Sequence, residues 1–563
     1  MTFAPPRPRP AVSRHWGADP APGGLWRFSL WAPASAHVSV EVEGRRTPLV
    51  LRGDGFHRAT APATTGECYR FLVNGSPVTD PAARAQAGQH IFGPSRLVDP
   101  DTDHPWQHAF HGRPWGEAVL YQLHVGTFTP EGTFAAAMAR LPDLAAMGFT
   151  ALLLMPVGHF PGGRGWGDEC ALPFAPHPAY GSPADLRAFV DAAHGAGLMV
   201  LMDLHWSRIP PEAPIRHLLP AAFSPDGQPD LSSTALRLYL IESALLWLSE
   251  YRLDGLCLAD ADRLQDPTAP HLLTDLAARI HAAGFTRPIH LLAGENPLRP
   301  ERFTAAEAPL YRRALHSVLT GDGDIPSPLM LLCDALTAPH GPAAPVHANQ
   351  TATSLGARPF GERLTRLAES RGVQVAHALL LCQPATPLVF MGDESGERAP
   401  FHRFTDLSPA RADALRRARL PSDSPIPDLA DLIPDPNDRA TFAASRPFRR
   451  AVPDAPGWQS LTQGLLHFRQ TELLPLLASG PAGLPRARAT GPAALIAEWP
   501  FRDGTLRIAA SLGTPPQGDQ PEFLRPPRLC LGHAARDPFA FALWIERPRG
   551  QRRKPALRRA ANV

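Results

Sequence analysis

Between residues 119 and 391, short apolar runs alternate with stretches of helical periodicity, and few folds satisfy that rhythm. The runs fall at 119–124, 150–155, 198–203, 253–258, 289–293 and 387–391. Apolar runs without polar alternation predict strands buried on both faces, as in a parallel sheet. Between them, 134–147 has helical spacing, and 183–196 begins on Pro183 and is followed by Gly197, the asymmetry expected of helix ends. The segment 234–251 places Leu236, Leu240, Ala244, Leu245 and Leu248 on one face. The fold class is therefore α/β, and the repeated parallel units close most simply into a (β/α)8 TIM barrel.

The flanks read differently. Within 25–98, Val38, Val40 and Val42 alternate with Ser39, Glu41 and Glu43, as do Tyr69, Phe71 and Val73 with their neighbours, and Gly and Pro punctuate each run. This predicts an immunoglobulin-like β-sandwich before the barrel. Short strands return at 494–499, 506–512 and 539–545 and predict a closing β-sandwich. The expected division is 15–105 for the first sandwich, 115–430 for the barrel, 435–546 for the second sandwich, and a basic tail at 547–563.

Composition excludes several classes. A net charge of +2 gives no global attraction to nucleic acid or to a membrane. The seven basic residues of the tail lack interleaved aromatics and read as a solvated end. The six cysteines lie far apart without a CxxC pair, so neither a zinc site nor a disulfide framework is expected. No apolar h-region opens the chain and no apolar stretch is long enough to span a bilayer, which makes the cytoplasm the expected compartment. The sequence gives no oligomeric state.

Specific phrases narrow the reading. FSLWAP occupies 28–33, YQLHVGTF 121–128, APHPAYG 175–181, YRLDGL 251–256, RPFGERL 358–364, FMGDE 390–394 and IPDPNDRATF 433–442. In this order they resemble the malto-oligosyltrehalose trehalohydrolases of glycoside hydrolase family 13, within the alpha-amylase superfamily. The resemblance runs from about Trp16 to beyond Leu512. It implies hydrolysis of the α-1,4 bond that joins trehalose to a maltooligosaccharide, with no organic cofactor and no metal. It also implies an α-glucan or maltooligosyl trehalose as ligand, and Trp166, Asp203 and His124 as residues around the sugar.

Retaining hydrolysis needs a carboxylate nucleophile and a carboxylic acid about 5 Å apart, at the carboxyl ends of barrel strands. The family's nucleophile strand resembles DGLRLDA, and here 254–260 reads DGLCLAD. Without a gap, Ala259 fills the nucleophile slot and Cys257 the arginine slot. Side chains alternate along a strand, so 257 and 259 share a face and Asp260 looks the other way unless a bulge swings it inward. The acid strand resembles HLVAEN, and here 290–296 reads HLLAGEN, so the acid slot is Gly294, or Glu295 with one inserted residue. Counting back from 358–361, the NHD triplet that carries the transition-state stabiliser falls on Thr351, Ala352 and Thr353, with Thr353 in the stabiliser slot. Asp203 persists in the third-strand motif, while Ser207 and Arg208 replace asparagine and histidine. A Tyr-Asp pair is replaced by Asp168 and Glu169, and the acid- and histidine-rich patch falls on 309–313, PLYRR.

Three readings follow. The scaffold persists while the site segments depart, which fits a relative impaired in or lacking hydrolysis that binds glucan or partners the enzymes of trehalose synthesis. The second is an active trehalohydrolase using displaced carboxylates, Asp260 and Glu295. The third is a different hydrolysis built on Asp168, Glu169, Asp203 or His205, although no G-x-S-x-G elbow or P-loop occurs.

Overall fold

A computed structural model describes residues 12–547 apart from 13, 226, 296–298, 324, 339–340, 419–431, 449–450, 453, 516–525 and 534–536. The tail beyond Arg547 lies outside the described residues.

Eight parallel strands close into a barrel: β1 (Leu120–Leu123), β2 (Ala151–Leu154), β3 (Met199–Leu204), β4 (Gly255–Leu258), β5 (His290–Ala293), β6 (Ala305–Glu307), β7 (Ala344–Ala348) and β8 (Thr386–Phe390). Each of the six apolar runs is one of these strands, shifted by a residue or two. β6 and β7 were not marked by a run. β6 is only Ala-Ala-Glu and β7 is Ala-Pro-Val-His-Ala, and neither offers a block of β-branched residues. The barrel interior is filled by Leu120, Leu153, Leu201, Cys257, Leu292, Val346 and Leu388, a cluster separate from the layer between strands and helices.

The helix α1 (Pro183–Gly195) has the expected ends. Ser182 and Asp185 form a reciprocal capping box, Pro183 occupies the first turn, and Gly197 follows with a φ of 77°. The segment 134–147 forms two helices, Phe134–Met138 and Leu141–Met147, because Pro142 cannot continue a helix and can only begin one.

α2 (Thr234–Glu250) departs from its expected one-sided pattern and buries 14 of its 17 residues. The reason lies in the N-terminal sandwich, which covers the face away from the barrel. That sandwich comprises two antiparallel sheets. One orders Gly17–Ala21, Leu25–Trp31, Phe56–Pro62 and Val50–Leu51; the other is built on Val38–Val42 and Cys68–Val73. Trp26, Phe28, Val40, Tyr69 and Phe71 are buried in it. The Glu242 carboxylate accepts from the backbone N–H groups of His15 and Trp16 at 2.9–3.2 Å. Glu250 accepts from Arg84 Nε at 2.8 Å and Nη2 at 2.6 Å, and Arg84 also reaches the Ala18 carbonyl.

After the barrel, one five-stranded antiparallel sheet contains Arg486–Gly491, Ala494–Phe501, Gly504–Leu512, Leu529–Leu531 and Phe539–Glu546. Helices Pro328–Thr337 and Ser370–Cys382 cover its inner face, and Trp499 Nε1 donates to the Leu336 carbonyl at 3.1 Å. Among the described residues no helix is long and apolar enough to cross a membrane.

Burial acts to raise the Glu250 pKa, but the Arg84 guanidinium, with Arg14 and Arg187 behind it, outweighs burial and holds it at about 2. The folded value lies below the ordinary 4.5, so this stabilisation is complete above that pH and is lost as pH falls toward 2. Glu250→Gln is expected to destabilise the chain by about 3 kcal/mol at neutral pH, since it strands a buried cation. It should also flatten the acid limb of stability below pH 4.5. Urea titrations of both proteins across pH check this, and an unchanged acid limb would contradict it.

Candidate active site

The site slots lie where β3, β4 and β5 end. The register is direct: Asp203 pairs with Cys257, Cys257 with Leu292, Leu204 with Leu258 and Leu258 with Ala293. The Ala259 N–H donates to the Leu204 carbonyl and the Gly294 N–H to the Leu258 carbonyl, each at 3.1 Å, so the ladder continues through both slots. Cys257 belongs to the interior cluster and Ala259 packs against it, whereas Leu256 and Leu258 face the helices.

Asp260 turns aside at the strand end, with φ −116° and ψ 28°. Its buried carboxylate accepts from Trp206 N at 3.2 Å, Ser207 N at 2.7 Å and Ser207 Oγ at 2.5 Å. It braces the loop after β3. Gly294 has no room for a side chain, because a Cβ there would sit 2.2 Å from the Ala259 carbonyl oxygen. Glu295 is solvent-exposed, and its carboxylate accepts from Arg312 Nη2 at 2.8 Å. The two carboxylates are thus held by different partners, Asp260 by the β3 loop and Glu295 by the helix α3 (Pro309–Thr320).

Thr351 caps the short helix α4 (Ala352–Gly356) in a reciprocal box with Ser354, and Thr353 is exposed on its first turn. Neither side chain supplies an acid or an imidazole.

Asp203 is the one carboxylate of the inherited motifs that points into the barrel. It is buried opposite Cys257, and Gln122 of β1 donates to it at 3.4 Å. Burial, then the nearby Glu307 carboxylate, push its pKa up to about 7, against weaker hydrogen bonds from Cys257 and Gln122. Burial also raises the Glu307 pKa. Among the described residues no cation pairs with Asp203, and the Cys257 thiol opposite it supplies none. An interior carboxyl without a cation is held by the proton instead.

The other sugar-contact candidates are committed to packing. Both ring nitrogens of His124 are engaged, Nδ1 with Thr127 Oγ1 at 3.0 Å and Nε2 with the Gly165 carbonyl and the Tyr180 hydroxyl, each at 3.0 Å. Burial lowers its pKa to about 4, so the ring is neutral at physiological pH. Trp166 is 6% exposed, stacks on Phe401 at 5.3 Å, lies under the Arg403 guanidinium and donates Nε1 to the His402 carbonyl. Asp168 is buried between Arg208 and Arg403, at 2.8 and 2.7 Å, and Glu169 pairs with Arg411. Among the described residues no three His, Cys, Asp or Glu side chains are grouped to hold a metal ion.

The sequence did not single out Gln122, Glu307 or the Ser207–Asp260 contact. Gln122 had a signal, as the one polar residue of the β1 strand LYQL. Glu307 had none, because its strand was not recognised.

An eight-stranded parallel barrel behind an antiparallel sandwich and before an antiparallel sheet, with Asp203 and Glu307 toward its interior, defines the class as a (β/α)8-barrel protein with flanking β domains. No family model matches the chain. It is 33% identical to a malto-oligosyltrehalose trehalohydrolase of Deinococcus radiodurans over 76% of this chain and 78% of that protein. It is 32% identical to one from Arthrobacter ramosus over 87% and 94%. A Salmonella typhimurium crystal structure, provisionally assigned as an alpha amylase, superposes with a TM-score of 0.87 at 32% identity, over 95% of this chain and all of that one. A pullulanase solved with maltotetraose shares the fold at a TM-score of 0.70 and 15% identity, over 96% of this chain and 89% of that one. The chain belongs to the malto-oligosyltrehalose trehalohydrolase family.

Because the folded Asp203 pKa lies near 7 against an ordinary 3.8, the folded state holds a proton that the unfolded chain releases. Stability should therefore fall as pH rises from about 4 to 7, by up to about 1.4 kcal/mol per pH unit. Asp203→Asn is expected to flatten that slope, read from urea midpoints at successive pH values. An unchanged slope would place the proton elsewhere.

Proposed function

We propose that this chain is a trehalohydrolase-family protein of trehalose and maltooligosaccharide metabolism that has lost the hydrolytic step and keeps the barrel as an α-glucan-binding frame. The observation that carries this reading is the β4–β5 rim. Retaining hydrolysis requires opposed carboxyls about 5 Å apart, and the two slots here hold Ala259, turned to the interior, and Gly294, closed by the Ala259 carbonyl. A nucleophile needs a lone pair aimed at the anomeric carbon. Asp260 directs its oxygens to Ser207 and Trp206, and exposed Glu295 faces Arg312. Loss of one member of a concerted catalytic set costs nearly as much as loss of all, so turnover should fall by orders of magnitude. Glucan binding is supported by the family and by the fold shared with a pullulanase that holds maltotetraose. The compartment that fits this role is the cytoplasm, and the fitting partners are the working enzymes of trehalose synthesis.

Purified chain at high concentration, incubated with maltotriosyl trehalose over long times, is expected to release no trehalose above a protein-free blank. Asp260→Asn and Glu295→Gln should leave that result unchanged. Trehalose release abolished by both substitutions would establish a site rebuilt one residue along. Calorimetric titration with maltotetraose is expected to show binding, and its absence from folded protein would remove the glucan-binding part of the proposal.

A further inference from the structure

Among the described residues few large apolar side chains are left in water, and Phe92 is one of them, 51% exposed beside the buried Ile91. A single exposed apolar side chain carries little meaning. Here two more rings gather around it. The His90 centroid lies 5.7 Å from that of Phe92 with the planes at 49°, and the His217 centroid lies 6.2 Å away at 54°. Both imidazoles are exposed as well.

The turn that presents Phe92 is fixed by its own hydrogen bonds. The Ala87 N–H donates to the Pro94 carbonyl at 3.0 Å and the Gly93 N–H to the His90 carbonyl at 2.9 Å. The Phe92 N–H donates to His90 Nδ1 at 3.2 Å, and Thr79 Oγ1 donates to the Gly93 carbonyl at 3.0 Å. The turn is also tied to the barrel. His159, in the loop after β2, donates Nε2 to the Gln89 carbonyl at 3.0 Å. His217 sits on the short helix Pro214–Leu218, in the loop after β3 whose Ser207 donates to Asp260. Loops that follow parallel barrel strands lie at their carboxyl ends. The three rings therefore stand on the side of the mouth, where the N-terminal sandwich meets the rim.

Such a surface is apolar at its centre and polar at its edges. A pyranose is the reverse side of the same pattern, with C–H groups on its face and hydroxyls around its rim. Its face can stack on the Phe92 ring while its hydroxyls meet the imidazoles and the exposed Gln89 amide. We propose that Phe92, flanked by His90 and His217, is a stacking platform for a glucose unit of an α-glucan at the edge of the barrel mouth. The proposal rests on the glucan-binding reading above and adds to it a contact outside the strand-end slots.

Calorimetric titration of the full chain with maltoheptaose tests it. Phe92→Ala, an exposed truncation that the fold should tolerate, is expected to weaken binding about fivefold, the scale of one aromatic contact. Phe92→Trp should match or exceed the original affinity, because stacking needs a ring face. Leu484→Ala, at an 83% exposed position just before the C-terminal sheet, should leave it unchanged. Absence of maltoheptaose binding by the unaltered, folded chain would remove the glucan-binding reading and the platform with it. Binding that Phe92→Ala leaves intact, or that Phe92→Trp weakens as much as alanine does, overturns the platform alone. Sedimentation of the unaltered chain and of Phe92→Ala is expected to agree. An assembly lost with Phe92→Ala also overturns the platform, since the rings would then serve a contact between copies of the chain.

Discussion

The parallel pairing of β3, β4 and β5 is the constraint on which the site depends. In a closed barrel every strand is hydrogen-bonded on both edges, so no strand can slip by one residue without turning its inward side chains outward. The observed pairing of Asp203 with Cys257 and of Leu258 with Ala293 therefore assigns each neighbouring side chain to a side. Cys257 and Ala259 go to the interior, and Asp260 goes to the loop after β3.

The same rim is held together by its own residues. Asp260 ties the β3 loop through three donors, and Gly294 lets β5 approach the Ala259 carbonyl. Inside, Asp203 faces the Cys257 thiol and the Glu307 carboxylate, and burial favours the protonated forms of both carboxyls, with Arg312 opposing the shift at Glu307.

Docking of the N-terminal sandwich is the second organising contact. Glu242 and Glu250 lie on the outward side of α2, and each is saturated by the sandwich or its approach, Glu242 by His15 and Trp16 and Glu250 by Arg84. Trp16 completes the seam by packing edge-on against Tyr239 at 5.4 Å. Two buried carboxylates on one helix are tolerable only because each is fully partnered.

Six of the eight barrel strands were legible in the sequence because a strand buried on both faces must be apolar throughout, and α1 because its caps are local chemistry. That 257 and 259 share the interior face was legible as well, since it depends on strand alternation alone. The two alanine-rich strands, the all-round burial of α2 and the break at Pro142 were not, because each depends on what packs nearby or on one backbone nitrogen within an otherwise periodic segment. Only the tertiary structure decided that Asp260 braces Ser207, that Glu295 faces Arg312 and that Asp203 shares the interior with Glu307. Those contacts join β3 to β4, β5 to α3, and β3 to β6, and the partners of a charged side chain across such separations are fixed by barrel closure rather than by neighbours in the chain.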